Sequence, residues 1–242
     1  MITIAAGSGT GKSTICREFC HHFLKNKLTV GYIALEESVQ RTMQGILAVE
    51  MDEPLHLKDN VEDVEGVKEA FDKLFGTEKL FLYDHFGSMD PDRMIEQIQY
   101  MATAEGVDVV ILDHLTMVVS GLADIDERRA IDVTCTKLRQ VVESTGIALI
   151  LVSHLRRPQG TSHEQGQQVS TSDLRGSSAI LQLSDLCISA ERNQQGDPAE
   201  RSEMQLRILK NRHTGMTGPI DKLLYDEKTG RLIVPMSTYF GT

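Results

Sequence analysis

Apolar positions along this chain switch repeatedly between two periods. Met1-Ile2-Thr3-Ile4-Ala5, Leu28–Leu35, Lys79–Asp84, Val107–Asp113 and Ile147–His154 are apolar runs of strand length, the pattern of strands buried on both faces of a sheet. Between them apolar residues return every three or four positions: Ile15, Phe19 and Phe23; Val39 to about Val49; Val64, Val67, Phe71 and Leu74; Met94 or Ile95, Ile98 and Met101; Ile131, Cys135, Leu138 and Val142. That spacing gives each segment one apolar helical face. Asp90-Pro91 starts one of these helices, with Asp as cap and Pro in the first turn, and Gly106 and Gly146 mark two ends. Strands alternating with helices predict an α/β fold, a mostly parallel central sheet flanked by helices. Ala179, Ile180, Leu181 and Leu183 then precede a strand-like Asp185–Ala190. Met204–Lys210 alternates like a strand with one wet face, and Leu223-Leu224-Tyr225 with Leu232-Ile233-Val234 flank Lys228-Thr229-Gly230 as a C-terminal antiparallel hairpin. Three stretches lack a packing pattern and read as loops: Ser120 to Glu127, the polar run after His154, and Glu191 to Glu200. Glu50 to Asp72 is acidic, a solvated helical excursion. No internal repeat is evident.

One stretch joins the first strand to the first helix: Gly7-Ser8-Gly9-Thr10-Gly11-Lys12-Ser13-Thr14. A strand, a glycine-rich turn, Lys-Ser and a helix are the context of a phosphate-binding P-loop. Gly7, Gly9 and Gly11 let backbone N–H groups converge on phosphate oxygens where a Cβ would obstruct them. Lys12 would reach the β and γ phosphates, and Ser13 would hold Mg²⁺. The helix N-terminus adds its field. The strict pattern has Gly where this chain has Ala6.

Candidate chemistry recurs at strand ends. Glu36-Glu37 closes the second strand; one carboxylate could polarise the attacking water, while Ser38 or Glu37 could instead cap the next helix. Asp113 closes a continuous apolar strand, the Walker B arrangement, and would hold the Mg²⁺ shell directly or through water. His154 closes another strand, where a γ-phosphate sensor would sit. Arg156 and Arg157 open the long polar loop and could engage phosphates. Lys210 and Arg212 lie near the end of the alternating strand.

Composition narrows the partners. The 242 residues are 40% hydrophobic, which suits one globular domain with a large core. Lys and Arg number 25 against 35 Asp and Glu, a formal charge of −10. That excludes a basic, shape-blind nucleic-acid coat and leaves room for a local basic path. It argues against tight DNA binding by the isolated chain at physiological salt. Cys16, Cys20, Cys135 and Cys187 show no CxxC spacing and read as reduced core thiols of a cytosolic protein. There is no signal peptide and no apolar run of membrane length.

Together these motifs resemble the helicase domain of phage replicative helicase–primases, a branch of the hexameric DnaB-like helicases with RecA-like P-loop NTPase cores. The resemblance runs over nearly the whole chain. Its most specific strings are the P-loop, Leu35-Glu36-Glu37-Ser38, Ile111-Leu112-Asp113-His114, Ser153-His154-Leu155, Ser172-Asp173-Leu174-Arg175-Gly176-Ser177, Glu191-Arg192-Asn193-Gln194-Gln195-Gly196-Asp197 and Ile208-Leu209-Lys210-Asn211-Arg212. The Asp-Leu-Arg-Gly-Ser and Glu-Arg-Asn-Gln-Gln-Gly-Asp strings discriminate most, since a generic P-loop ATPase would not carry them. That branch commonly lacks the first glycine too.

The resemblance implies roles. Glu36 matches the catalytic glutamate, Asp113 the Walker B aspartate and His154 the phosphate sensor. Lys210 and Arg212 match a pair inserted into the neighbouring subunit's nucleotide, with Arg212 as arginine finger. Arg192 and Tyr225 match residues that bracket the base. The loop after Asp113, the loop after His154 with Arg156 and Arg157, and the loop around Asn193 to Asp197 with Gln194 and Gly196 match those that line the central channel and grip single-stranded DNA, although the one after His154 is less basic here than in relatives. The substrate would be ATP or dTTP with Mg²⁺, and the assembly a homo-hexamer moving five-to-three in a phage replisome of the host cytoplasm. A primase domain and a polymerase would be partners. Residues 1–242 would form one motor domain, with the primase and linker helix absent from the sequence. A RecA-type recombinase or regulatory ATPase would share the fold without unwinding. A small-molecule kinase would need an acceptor pocket and lid, and a GTPase an Asn-Lys-x-Asp string, which is absent.

Overall fold

The computed structural model describes residues 1–58, 62–119, 127–156, 162–174 and 178–235. Its elements run β1 (Ile2–Ala6), α1 (Lys12–Lys25), β2 (Val30–Ala34), α2 (Val39–Met51), α3 (Val64–Phe75), β3 (Leu80–Leu82), α4 (Pro91–Thr103), β4 (Val109–Asp113), α5 (Leu115–Val119), α6 (Glu127–Thr145), β5 (Ala148–His154), α7 (Ser178–Leu183), β6 (Leu186–Glu191), α8 (Pro198–Ser202), β7 (Glu203–Asn211), β8 (Gly218–Asp226) and β9 (Arg231–Ile233). Local signals account for several helix starts. Asp90 caps α4 by accepting from the Asp92 and Arg93 amides, with Pro91 at the first position. Ser38 caps α2 through the Arg41 amide.

Nine strands form one sheet in the order β3-β2-β4-β5-β1-β6-β7-β8-β9. From β3 to β6 all neighbours are parallel; β6, β7, β8 and β9 pair antiparallel. The register aligns the carboxyl ends of the inner strands. Ala6 lies opposite His154 on one side and Ala190 on the other, and Ala34 lies opposite Asp113.

Alternate residues of each strand feed two cores, as the pleat requires. On β4, Val109 and Ile111 face Ile15, Cys16, Cys20, Leu24, Ile46 and Leu74 of α1, α2 and α3. Val110 and Leu112 face Met94, Ile98, Met101, Ile131, Cys135 and Leu138 of α4 and α6. Burying each such Leu or Ile contributes about 1.5–3 kcal/mol. On α6 the buried position is Val141, with Val142 only partly covered. The C-terminal hairpin extends further than the sequence suggested: β8 begins at Gly218 and pairs along β7 before turning into β9. Pro219 to Lys222 are exposed, with Ile220 among the exposed large apolar residues, so no alternation marks this outer strand. The loop expected over Ser120 to Glu127 lies outside the described residues except Glu127, and Arg157 with Arg175, Gly176 and Ser177 also lie outside them.

All four cysteines are buried. Burial pushes every thiol up, Cys135 and Cys187 to about 12. Because the thiolate is the reactive form, Ellman's reagent is expected to label none in the native protein and all of them after unfolding in guanidinium. Rapid labelling of the native protein would contradict this burial.

Candidate active site

The P-loop hangs between the end of β1 and the start of α1. Ala6 is the last paired residue of β1, so the position where the strict pattern has Gly carries ordinary strand backbone and tolerates a methyl. Gly11 does need to be glycine. Its φ is 104°, and a Cβ there would come within 2.9 Å of Met204 Cε. Lys12 is buried, and its Nζ donates to Gly7 O at 2.7 Å. Burial lowers the Lys12 pKa, while Asp113 and Glu36 pull it back up. Ser13 Oγ donates to Asp113 Oδ2 at 2.7 Å. Burial raises the Asp113 carboxyl, with the Ser13 hydrogen bond opposing. The parity of β4 explains this meeting: Asp113 points the same way as Val109 and Ile111, towards α1.

Glu36 and His154 complete the cleft, a space of about 380 Å³ lined also by Ser8, Gly9, Gly11, Lys12, Ser13 and Thr14. Thr10 of the same loop is buried. The ambiguity between Glu36 and Glu37 resolves by partner. Glu37 Oε2 accepts from Arg17 Nη2 at 2.7 Å, and its other oxygen accepts from Thr42 Oγ1 at 3.0 Å. Arg17 is itself buried between α1 and α2, where a Cβ on Gly45 would meet its Nε at 2.3 Å. Glu37 therefore fastens two helices, and Ser38 is the cap. Glu36 faces the cleft. Partial burial pushes its carboxyl up, but His114, His154 and Lys12 outweigh this and hold it below the usual range. Glu36 Oε1 lies 2.9 Å from His114 Nε2, and the His114 and His154 rings pack with centroids 4.1 Å apart. Donor atoms of Glu36, His114 and His154 all lie within 4.8 Å of one another, close enough to share a cation; two imidazoles would suit a transition ion better than Mg²⁺.

The remaining expected residues divide into two groups. Arg192 lies over the Tyr225 ring, its guanidinium carbon 5.9 Å from the ring centre. Arg192 Nε also donates to Arg201 O. Gln194 Nε2 donates to Ser8 O of the P-loop at 2.9 Å. Asn193 Nδ2 donates to Glu200 Oε2, and Gly196 O accepts from Arg201 Nε, tying this segment to α8. Arg156 is exposed, its backbone amide donating to Asp173 O. Lys210 and Arg212 lie elsewhere. Asn211 pairs with Leu186, the amino end of β6, whereas Ala190 at the other end adjoins Ala6. Four residue rises, about 13 Å of strand, separate the two levels. Lys210 Nζ donates to the carbonyls of Leu181 and Gln182, and Arg212 donates to Asp185 Oδ1 at 2.8 Å and to Gln182 O.

Sequence reasoning missed His114, Thr116, His163 and the Gln194 contact. His163 is buried against the P-loop; a Cβ on Gly7 would lie 3.3 Å from its Cβ. A histidine directly after the Walker B aspartate was the available signal for His114. Nothing local announces His163.

The sheet and its flanking helices form a RecA-like α/β ATPase fold. The chain belongs to the DnaB-like helicase C terminal domain family, which matches residues 1–232. It is 40% identical over 247 residues to a DNA helicase/primase of Enterobacteria phage T3, a match covering all of this chain and 43% of that protein. The chain thus spans less than half the length of this curated relative. Among solved structures, one described as an ATPase domain has a TM-score of 0.78 at 18% identity, covering 97% of this chain and 84% of that one. A structure described as a DnaB-like replicative helicase and its interactions with primase also has a TM-score of 0.78, at 17% identity, covering 96% of this chain and 57% of that one. At such identities the likeness speaks for the fold. Among the described residues no helix is long and apolar enough to cross a membrane.

The two adjacent glutamates make opposite stability expectations. Glu37→Ala strands a buried guanidinium and is expected to lower unfolding stability by about 1–3 kcal/mol. Glu36→Ala is expected to leave it nearly unchanged. Urea titration of both variants checks this, and an equal loss in the two would contradict the division.

Proposed function

We propose that this chain is the nucleoside-triphosphate-driven motor of a ring-shaped replicative DNA helicase. The observation that carries the reading is a site in two halves. Lys12, Ser13, Glu36, Asp113 and His154 meet at one end of the sheet, while Lys210 and Arg212 sit about 13 Å away along the strands and bond to α7 and Asp185. A hydrolytic site needs cationic groups on the developing phosphate charge. Two cations held apart from their own cleft fit service in a neighbour's.

In this reading the reaction is in-line attack of water on the γ phosphate. Glu36 orients the water, Lys12 neutralises the β and γ oxygens, and His154, opposite Ala6 in the register, reports the γ phosphate to the loop beyond it. Ser13 hydroxyl and Asp113 carboxylate, already adjacent, are hard oxygen donors of the kind Mg²⁺ takes, directly or through water. The ion would supply charge neutralisation on the phosphates. Arg192 and Tyr225 would bracket the base of ATP or dTTP. Arg156, Arg157, Asn193, Gln194 and Gly196 would line the path of single-stranded DNA, with Gln194 joining that path to the P-loop through Ser8. Residues 1–242 act as one motor domain within a homo-hexamer moving five-to-three, in a phage replisome with primase and polymerase. The names of the relatives and the family-specific strings support this setting. Unwinding of a forked duplex separates it from a recombinase or regulatory ATPase.

Removing an arginine finger costs about 10³-fold or more in rate, roughly 4 kcal/mol. Arg212→Ala and Glu36→Gln chains are each expected to be nearly inactive alone. Mixed, they are expected to regain part of the DNA-stimulated ATPase, because some interfaces combine an intact Arg212 with an intact Glu36. No recovery at any ratio, with assembly verified by solution mass, would contradict action across the interface. Separately, Arg156→Ala is expected to weaken single-stranded DNA binding whatever the base sequence. It should also flatten the log Kd against log salt slope by about 0.7. An unchanged slope would remove Arg156 from the path.

A further inference from the structure

Glu36 is a long side chain, 54% exposed, at the mouth of the cleft. A carboxylate that must hold one water in line needs its own position limited, and a displacement of about 1 Å costs on the order of 10² in rate. Beside it stands His114, the residue after Asp113, only 4% exposed. The imidazole is gripped on three sides. Its Nδ1 lies 2.6 Å from Thr116 Oγ1, its Nε2 lies 2.9 Å from Glu36 Oε1, and its face packs against His154 at 43°.

An ionised carboxylate only accepts, so a hydrogen bond from His114 to Glu36 requires the hydrogen on Nε2. In the neutral ring the other nitrogen is then an acceptor, and the Thr116 hydroxyl donates to it. The approach to Glu36 is short but bent: the Nε2 hydrogen does not lie along the line to the carboxylate. Such contacts commonly straighten when substrate is bound.

We propose that His114, oriented by Thr116, is a positioning residue that holds the Glu36 carboxylate at the γ-phosphate end of the cleft. The inference rests on the reading of Glu36 as the group that orients the attacking water. His114 touches neither phosphate nor water in this scheme. Its ring limits where Glu36 sits, and its face contact with His154 links the two groups that meet the γ phosphate.

The test uses the assembled, DNA-stimulated protein, with ATP turnover for rate and methylanthraniloyl-ATP fluorescence for binding. His114→Ala is expected to lower kcat about 10- to 100-fold with KM and analogue affinity unchanged. His114→Gln, whose amide nitrogen falls near the position of Nε2, is expected to restore part of the rate. Thr116→Val is expected to lower kcat less, in the same direction. In a Glu36→Gln background, His114→Ala is expected to change the residual rate by no more than about twofold. An undiminished kcat in His114→Ala, a loss expressed in KM and affinity instead, or a full additional loss on top of Glu36→Gln would each overturn the proposal. If His114→Ala does not assemble, Thr116→Val with the same two readouts decides. Full activity in Glu36→Gln alone would overturn the reading of Glu36 itself, a result distinct from any outcome at His114.

Discussion

The parallel register of β1, β2, β4 and β5 is the constraint on which the site depends. It brings Ala6 level with His154 and Ala34 level with Asp113, so the glycine-rich loop, the Glu36 turn, Asp113 and His154 all emerge at one edge. Side chains alternate along a strand, and a slip of one residue would exchange the two faces. Asp113 would then point into the core of α4 and α6 and away from Ser13. The apolar residues of β4 enforce the correct choice, since Val109 and Ile111 fill one core while Val110 and Leu112 fill the other. Packing energy thus fixes the aim of a polar group that contributes little to packing itself.

The same edge concentrates charge in a poorly solvated place. Burial lowers Lys12 and raises Asp113, while each partly offsets the other's shift. Lys12 rests on the Gly7 carbonyl, and Ser13 rests on Asp113. A triphosphate would offer Lys12 an anionic acceptor in place of a carbonyl dipole, adding ion–ion attraction to the hydrogen bond. The opposite end of the sheet holds a second charged cluster. Arg212 and Arg139 both meet Asp185 there. Strand length sets the distance between the two ends.

Much of this was legible in the sequence, because the informative signals are local. A strand, a glycine turn and a helix lie within a few residues, and each catalytic candidate of the cleft ends an apolar run. The strand–helix alternation pointed to the layered sheet, and Asp90-Pro91 to a helix start. What stayed illegible depends on partners far away in the chain. Glu36 and Glu37 are alike as letters; only Arg17 and Thr42, meeting Glu37 across α1 and α2, tell them apart. Gln194 reaches Ser8 across 186 positions. The outer half of β8 carries no alternation because both its faces are wet. Asn193 and Gly196 are tied to α8, contacts that no local pattern announces.

Arg212 is proposed to complete the cleft of another subunit. The most direct measurement is a structure of the assembled protein with Mg²⁺ and a non-hydrolysable triphosphate at the P-loop. Action across the interface requires the Arg212 guanidinium of one subunit within about 3 Å of a γ-phosphate oxygen held by Lys12 of the next. A nucleotide-filled assembly in which Arg212 still rests on its own Asp185, with no cation from a neighbour at the phosphate, would contradict it.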